Sequence, residues 1–393
     1  MSKVQLKNVG LVEVLCLVAL SLMAASGSSQ SIDDLSDAST SATENLFLGP
    51  SSGTSLGSGN YNTGVGFFTL RRTTTGDWNT ALGAGALFGN VSGDFNTAGG
   101  GNSLVTNKTG SDNTGFGYAS LFTNVSGSRN TALGSRALAL NSSGKNNTAV
   151  GADALFSNET GVLNTGIGAG SLQLNTTGIE NIGIGPFTLP VNTIGRFNTA
   201  ISPRALLANT TGEQNVAIGL RAGSFNRTGS RNIFIGSQSG ANSKYVNADN
   251  QLVIHGNAST SPLIEGDFKE RTLRINGDFS ATTISEVSDA RLKRDVVPLE
   301  DALGSILRLQ GMSFHWRTDE YSERGFGEGS DIGLIAQEVE AVLPRLVRED
   351  RDGFKAVAYG KLMAVLVQGV KEQQSQLATL RARIVALELR DDL

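Results

Sequence analysis

The chain has 393 residues, among them 49 glycines, 7 prolines, 1 cysteine and 2 histidines, and 32 Lys/Arg against 36 Asp/Glu leave a net charge of −4. That balance offers no basic stripe for nucleic acid or anionic lipid, and one cysteine excludes a disulfide scaffold and a cysteine-based zinc site. With 39% hydrophobic residues, 6% aromatics and one glycine in eight, the composition points away from a helical bundle and toward a turn-rich, repetitive β architecture.

Residues 1–27 read as an export signal. Lys3 and Lys7 give a positive start, Val14 to Ala25 form a short apolar run, and Ala24, Ala25, Ser26 and Gly27 offer a small-residue cleavage site. The run is short for a bilayer span, so no membrane-spanning segment is expected in the mature chain. Residues 28–44, rich in Ser, Asp and Thr, read as a flexible lead-in.

From Asn45 a period of seventeen takes over. Asparagine recurs at 45, 62, 79, 96, 113, 130, 147, 164, 181, 198, 215 and 232, as in Asn79-Thr80-Ala81-Leu82-Gly83 and Asn147-Thr148-Ala149-Val150-Gly151. Counting that asparagine as zero, glycine sits at +4, an apolar residue at +3, and leucine at +8 (Leu70, Leu87, Leu104 and onward). The middle copies add asparagine at +11 and glycine at +14. Apolar pieces this short cannot be helices, and Gly and Asn are expected at the turns that need positive φ. A unit with two or three inward side chains buries no core alone, so it must stack on the next, with asparagines bonding from turn to turn. The period predicts a parallel β-roll or solenoid over 45–249. By itself it does not choose between one chain coiling and three chains wound together. These Asn-Thr-Ala-Val-Gly units resemble the head repeats of trimeric surface adhesins, a left-handed parallel β-roll, and the repeat arrays of tail-fibre-domain proteins. The resemblance implies a trimer.

Several motifs in the array have plain explanations. Gly64-Val65-Gly66 and Gly183-Ile184-Gly185 match phosphate-binding glycines only in spacing and lack a βαβ context. Sequons such as Asn90-Val91-Ser92, Asn107-Lys108-Thr109 and Asn158-Glu159-Thr160 recur because the turn recurs. No acidic position is held from copy to copy, so the paired carboxylates of a glycosidase are not visible.

Strand-like segments at Asn250–Ile254 and Arg271–Ile275 predict a β neck over 250–287, intertwined between chains. Charge density then rises and helical periodicity begins. Ser288-Asp289-Ala290-Arg291-Leu292-Lys293-Arg294-Asp295, Asp331-Ile332-Gly333-Leu334-Ile335-Ala336-Gln337-Glu338-Val339-Glu340, Leu343-Pro344 and Tyr359-Gly360-Lys361-Leu362 follow in order. Together they resemble the intramolecular chaperone domain of phage endosialidases and related tailspikes. That resemblance implies a small α+β domain over 288–393 that trimerises three chains and then releases itself by autoproteolysis, with Ser288 and Lys293 as the catalytic pair. A serine needs a base to become a nucleophile, and a lysine serves only when burial or nearby positive charge favours its neutral form. Arg291 and Arg294 are candidates for that charge.

The comparison ranks the Ser288–Asp289 bond first as the cleavage site. Attack by Ser288 on its own carbonyl needs a four-membered ring, on the Val287 carbonyl a five-membered one, and attack from a neighbouring chain avoids both. A seam at Met363, Leu366, Val370, Gln373, Leu377, Leu380, Ile384 and Leu387 predicts a coiled coil over 363–389.

The expected function is that of a secreted or cell-surface, adhesin-like homotrimeric fibre whose C-terminal domain sets chain register and cuts itself off. Self-cleavage is the only chemistry assigned, with no external substrate. Neither cofactor nor metal is expected. The partner is the chain itself, with a cell-surface glycan or protein as an open addition. Two alternatives stand beside it: a monomeric solenoid that binds a repetitive surface such as polysaccharide or ice, and a fibre-borne glycan hydrolase.

Overall fold

The computed structural model describes residues 44–391 except 278, 322, 323, 325, 351 and 352. The expected leader and the lead-in before Glu44 lie outside the described residues. The chain divides into two compact units, one ending at Arg274 and one beginning at Ile275.

The first unit is a parallel β-solenoid, as the period predicts. Twelve three-residue strands, from β1 (Leu46–Leu48) and β2 (Thr63–Val65) through β6 (Thr131–Leu133) and β7 (Thr148–Val150) to β12 (Ile233–Ile235), start every seventeen residues. Each pairs in parallel with the next one period on, so that Thr131 faces Thr148 and Leu133 faces Val150. The partners come from the same chain, each turn coiling onto the next. The last turn is two residues longer, Ile233 pairing with Leu252 of β13 (Gln251–Ile254). The sheet then continues antiparallel into β14 (Ile264–Asp267), with β15 (Thr272–Ile275) beyond it.

Strand alternation decides what fills the coil. Asparagine at zero points inward, so position +2 does too, and it is mostly Ala or Gly (Ala81, Ala98, Ala132 and Ala149 are fully buried). At the end turns the same position carries Phe47 and Phe234, which plug the column. Positions +1 and +3 point outward, so the apolar +3 residues (Leu82, Phe116, Leu133, Ile167) stand exposed.

The opposite wall is the +8 leucine, buried in every copy from Leu70 to Leu206. These leucines adopt left-handed backbone, φ +51° at Leu87, Leu104, Leu138 and Leu155. That conformation costs roughly 1–2 kcal/mol per residue, and burying the side chain contributes about 1.5–3 kcal/mol, so burial wins. The expectation that asparagine supplies the positive-φ turns is therefore corrected. The +4 glycines do so, but the other left-handed positions are +6, the +8 leucine and the residue just before each ladder asparagine, such as Trp78, Phe95 and Arg129, and the asparagines of the ladders have another task.

That task is hydrogen bonding. Asn147 donates its backbone N–H and its Nδ2 to Asn130 Oδ1, at 3.0 and 3.1 Å, and Nδ2 also reaches Gly161 O at 2.8 Å. A second ladder runs along +11: Asn141 Nδ2 donates to Asn124 Oδ1 at 2.7 Å and to Gly144 O at 3.1 Å. Gly144 O also accepts from Asn130 Nδ2 at 2.9 Å, so the +14 carbonyl ties the two ladders together. Glycine is required there because a Cβ on Gly144 would lie 2.3 Å from Asn141 Oδ1 and 2.5 Å from Gly161 O. The second ladder extends past the middle copies to Asn192, Asn209 and Asn226. Its ends are marked by two buried atoms without a hydrogen-bond partner among the described residues, Thr73 Oγ1 and Asn226 Oδ1. The sequon asparagines Asn90, Asn107 and Asn158 are ladder members, fully buried, so the folded repeat leaves no amide free for a glycan.

In the second unit, α1 (Ala302–Leu307) precedes a hairpin of β16 (Met312–His315) and β17 (Ser330–Gly333). Then come α2 (Ala336–Val342), a second hairpin of β18 (Val347–Glu349) and β19 (Lys355–Val357), and α3 (Tyr359–Asp391). A small core gathers Ala302, Val339, Leu346 and Val365. Gly369 lets α3 approach α1: a Cβ there would lie 2.4 Å from Ile306 Cδ1. One turn on, Glu372 accepts the first free N–H groups of α1, from Leu303 at 2.8 Å and Ala302 at 3.3 Å. The Leu303 N–H, then the Gln368 amide, hold the Glu372 carboxyl below the ordinary carboxylate range. A depressed carboxyl stabilises the fold above its unfolded pKa, and that contribution is lost as pH falls through the folded value. Hydrogen exchange at the Leu303 amide is therefore expected to speed up on acidification through that range, and to be fast and pH-insensitive there in Glu372→Ala beyond intrinsic chemistry. Equal pH response in both proteins would contradict this cap.

The heptad seam of α3 is different. Met363, Leu366, Val370, Leu377, Leu380, Ile384 and Leu387 are all exposed.

Candidate active site

The segment between β15 and α1 carries the sequence-predicted pair. Over 276–300 the described backbone has a single regular element, a short 3₁₀ turn at Ala290–Leu292, and residues 279–300 are all exposed. The turn is capped by Asp289, whose Oδ1 accepts the Arg291 N–H at 2.8 Å. Asp289 O accepts from Leu292 N at 3.2 Å and Ala290 O from Lys293 N at 3.0 Å. Lys293 then leaves in extended backbone, and its Nζ donates to Ser288 Oγ at 2.7 Å. Five-residue spacing alone does not predict that contact. The turn makes it.

The expected electrostatic help from the two arginines is corrected. Arg291 forks onto Asp289, with Nε at 3.1 and 3.2 Å from the two carboxylate oxygens and Nη2 at 2.7 Å from Oδ2. Arg294 lies 3.9 Å from Asp295. Neither is an uncompensated positive charge beside Lys293. The Arg291 side chain, then its backbone N–H, hold the Asp289 carboxyl below the ordinary carboxylate range, and the carboxylate raises the arginine in return.

Apolar side chains flank the pair in the open: Val287 is 84% exposed, Leu292 73% and Val296 76%. Some other residues of the quoted motifs make local structural contacts. Asp331 accepts the Trp316 indole N–H at 3.0 Å, Trp316 stacks on Phe326, and the Tyr359 hydroxyl accepts the Leu334 N–H at 2.9 Å. His255 accepts the Leu263 N–H at 3.1 Å, a partner invisible in sequence. Among the described residues, no group of three or more His, Cys, Asp or Glu is gathered to hold a metal, and no helix is long and apolar enough to cross a membrane.

Residues 288–348 match the family model described as chaperone of endosialidase. The matched stretch thus begins at Ser288 and runs through α1, the β16–β17 hairpin and α2 into β18. The chain is also similar to long tail fiber protein Gp37 of three phages. Identity to that of Salmonella phage S16 is 33% over 110 residues, covering 26% of this chain and 14% of the relative. To that of Escherichia phage AR1 it is 38% over 66 residues, covering 17% and 6%. To that of Enterobacteria phage K3 it is 31% over 149 residues, covering 36% and 11%. The chain therefore spans only a small fraction of the length of these relatives.

Proposed function

We propose that this is a tail-fibre-like, exported homotrimer in which the C-terminal unit aligns three copies of the solenoid and then releases itself by cleavage beside Ser288. The observation that carries the reading is the 2.7 Å contact of Lys293 Nζ with Ser288 Oγ at the first residue of the chaperone segment. The relatives' name, long tail fiber protein, supports the fibre and an extracellular setting. The alignment is needed because each turn resembles its neighbours, so copies can pair in many wrong registers.

Two surfaces support the trimer. The seam of α3 presents heptad-spaced apolar residues with nothing covering them. On the solenoid, every outward +1 and +3 position of β1 to β12 is uncharged, Thr or apolar in all but the Gly99 turn. With strands about 4.8 Å apart, that face runs roughly 50 Å without a charge, more than an isolated soluble chain commonly leaves open. Lysine at Ile167 and Ile201 is expected to reduce the light-scattering mass from three chains to one. The solenoid's own stability should change by no more than about 0.5 kcal/mol per site, as at other surface positions. Unchanged assembly would count against this face.

In the proposed step, neutral Lys293 takes the proton of Ser288 Oγ, which attacks the Ser288 carbonyl of a neighbouring copy. The C–N bond to Asp289 breaks, the departing nitrogen takes the proton, and water hydrolyses the ester to restore the hydroxyl. Neighbouring copies covering Val287, Leu292 and Val296 would withdraw water from the lysine and favour its neutral form. N-terminal sequencing of the small fragment tests the bond: Asp289 first supports this route, Ser288 first supports attack on the Val287 carbonyl.

A second reading has an observation of its own. The turn-to-turn ladders and strand pairings are made within one chain, so a lone solenoid could bind a repetitive surface such as polysaccharide or ice as a monomer. Light scattering of unprocessed protein separates the two readings.

A further inference from the structure

We infer that Asp289 and Arg291 form a positioning device that closes the 288–293 turn and keeps Lys293 for Ser288; this rests on the self-cleavage reading above. The need for such a device is geometric. In extended chain, residues five apart are separated by roughly 17 Å, and on a helix they do not face each other as i and i+4 do. No core shapes this segment, because residues 279–300 are exposed throughout. Local bonds must therefore set the contact.

Asp289 supplies them. Its side chain caps the 3₁₀ turn through the Arg291 N–H, and its carbonyl receives Leu292 N. The turn then points Lys293 back over Ser288. Arg291 has a separate part. A free carboxylate at 289 would be a stronger acceptor for the lysine ammonium than a serine hydroxyl, since charge-assisted bonds are roughly twice as strong as neutral ones. With Nε and Nη2 occupying both carboxylate oxygens, that competitor is removed and the lysine stays on Oγ. Cap and fork thus use the same carboxylate for two ends: one bends the chain, the other prevents diversion.

The two parts are separable by substitution in the full-length chain, with cleavage followed as the rate at which the small fragment appears. Asp289→Ala loses cap and competitor and is expected to slow cleavage by roughly five- to ten-fold, the scale of a lost N-cap. Asp289→Asn keeps a capping oxygen, since Asn and Asp cap about equally well, and is expected to stay within about three-fold of the native rate. Arg291→Ala frees the carboxylate and is expected to slow cleavage markedly in the native background, yet to have little effect when combined with Asp289→Asn. Native-rate cleavage in Asp289→Ala would overturn the positioning role. So would an Asp289→Asn protein as slow as Asp289→Ala, because the charge rather than the cap would then matter. An Arg291→Ala penalty of equal size in both backgrounds would overturn the role given to the fork. Ser288→Ala and Lys293→Ala in the same series separate the levels: if either still cleaves, the self-cleavage reading itself falls, whereas failure confined to the 289 and 291 variants leaves it standing.

Discussion

If the proposed self-cleavage holds, replacing Ser288 with alanine is expected to leave one full-length polypeptide where the native chain would give two fragments, the smaller of 105 residues beginning at Asp289. The effect is all-or-none because the acyl bond of the proposed step forms on this hydroxyl, and Ala removes it without touching the cap that Asp289 makes. Lys293→Arg should behave almost as severely. It keeps a donor near Oγ, but a guanidinium does not give up its proton, and loss of a general base removes about 10²- to 10⁴-fold in rate. Denaturing gels over a time course read both results. Identical fragments from the native chain and from Ser288→Ala would end the assignment.

A second large effect is expected inside the solenoid. Asn130→Ala removes the oxygen that receives both the backbone N–H and the Nδ2 of Asn147. It also removes the donor to Asn113 Oδ1 and Gly144 O. Each buried polar group left unpaired costs about 1–3 kcal/mol, so a total near 3–5 kcal/mol is expected, in the range reserved for broken buried networks. The outward neighbour Thr131 is the control, and its replacement by Ala should cost far less. Because each turn contacts only the turns beside it, the loss should appear locally. Amide exchange is expected to accelerate first at Asn147, with a lowered denaturant midpoint for the array. An Asn130→Ala protein as stable as Thr131→Ala would show that the ladder contributes little.

Much of this was written plainly in the chain. A strict seventeen-residue spacing of Asn, Gly and Leu announces a stack, and the coil places its ladders and its leucine wall on those positions. The apolar +3 residue was harder to read, since composition alone suggests that Leu82 or Ile167 belongs inside. Alternation from the inward asparagine sends it out instead and leaves the small +2 residue as filler. The left-handed leucines were not legible at all: propensity reserves such backbone for Gly and Asn, and only the burial of the side chain reverses that preference. At the site, resemblance named Ser288 and Lys293, while their contact depended on a cap at Asp289 that looks in sequence like one more solvated acid. Arg291 and Arg294 were misread for a related reason, because their carboxylate neighbours, two residues away and one, cancel the charge that the sequence seemed to offer.

The order of residues around the turn has an outcome for the lifetime of the device. Ser288 lies upstream of the Ser288–Asp289 bond, whereas Asp289, Arg291 and Lys293 lie downstream. A cut there would send nucleophile and base away on different molecules, so each copy could fire only once. Neither product would retain the means to rejoin the ends or to attack a passing protein, and the shaft would carry away a harmless serine at its tip.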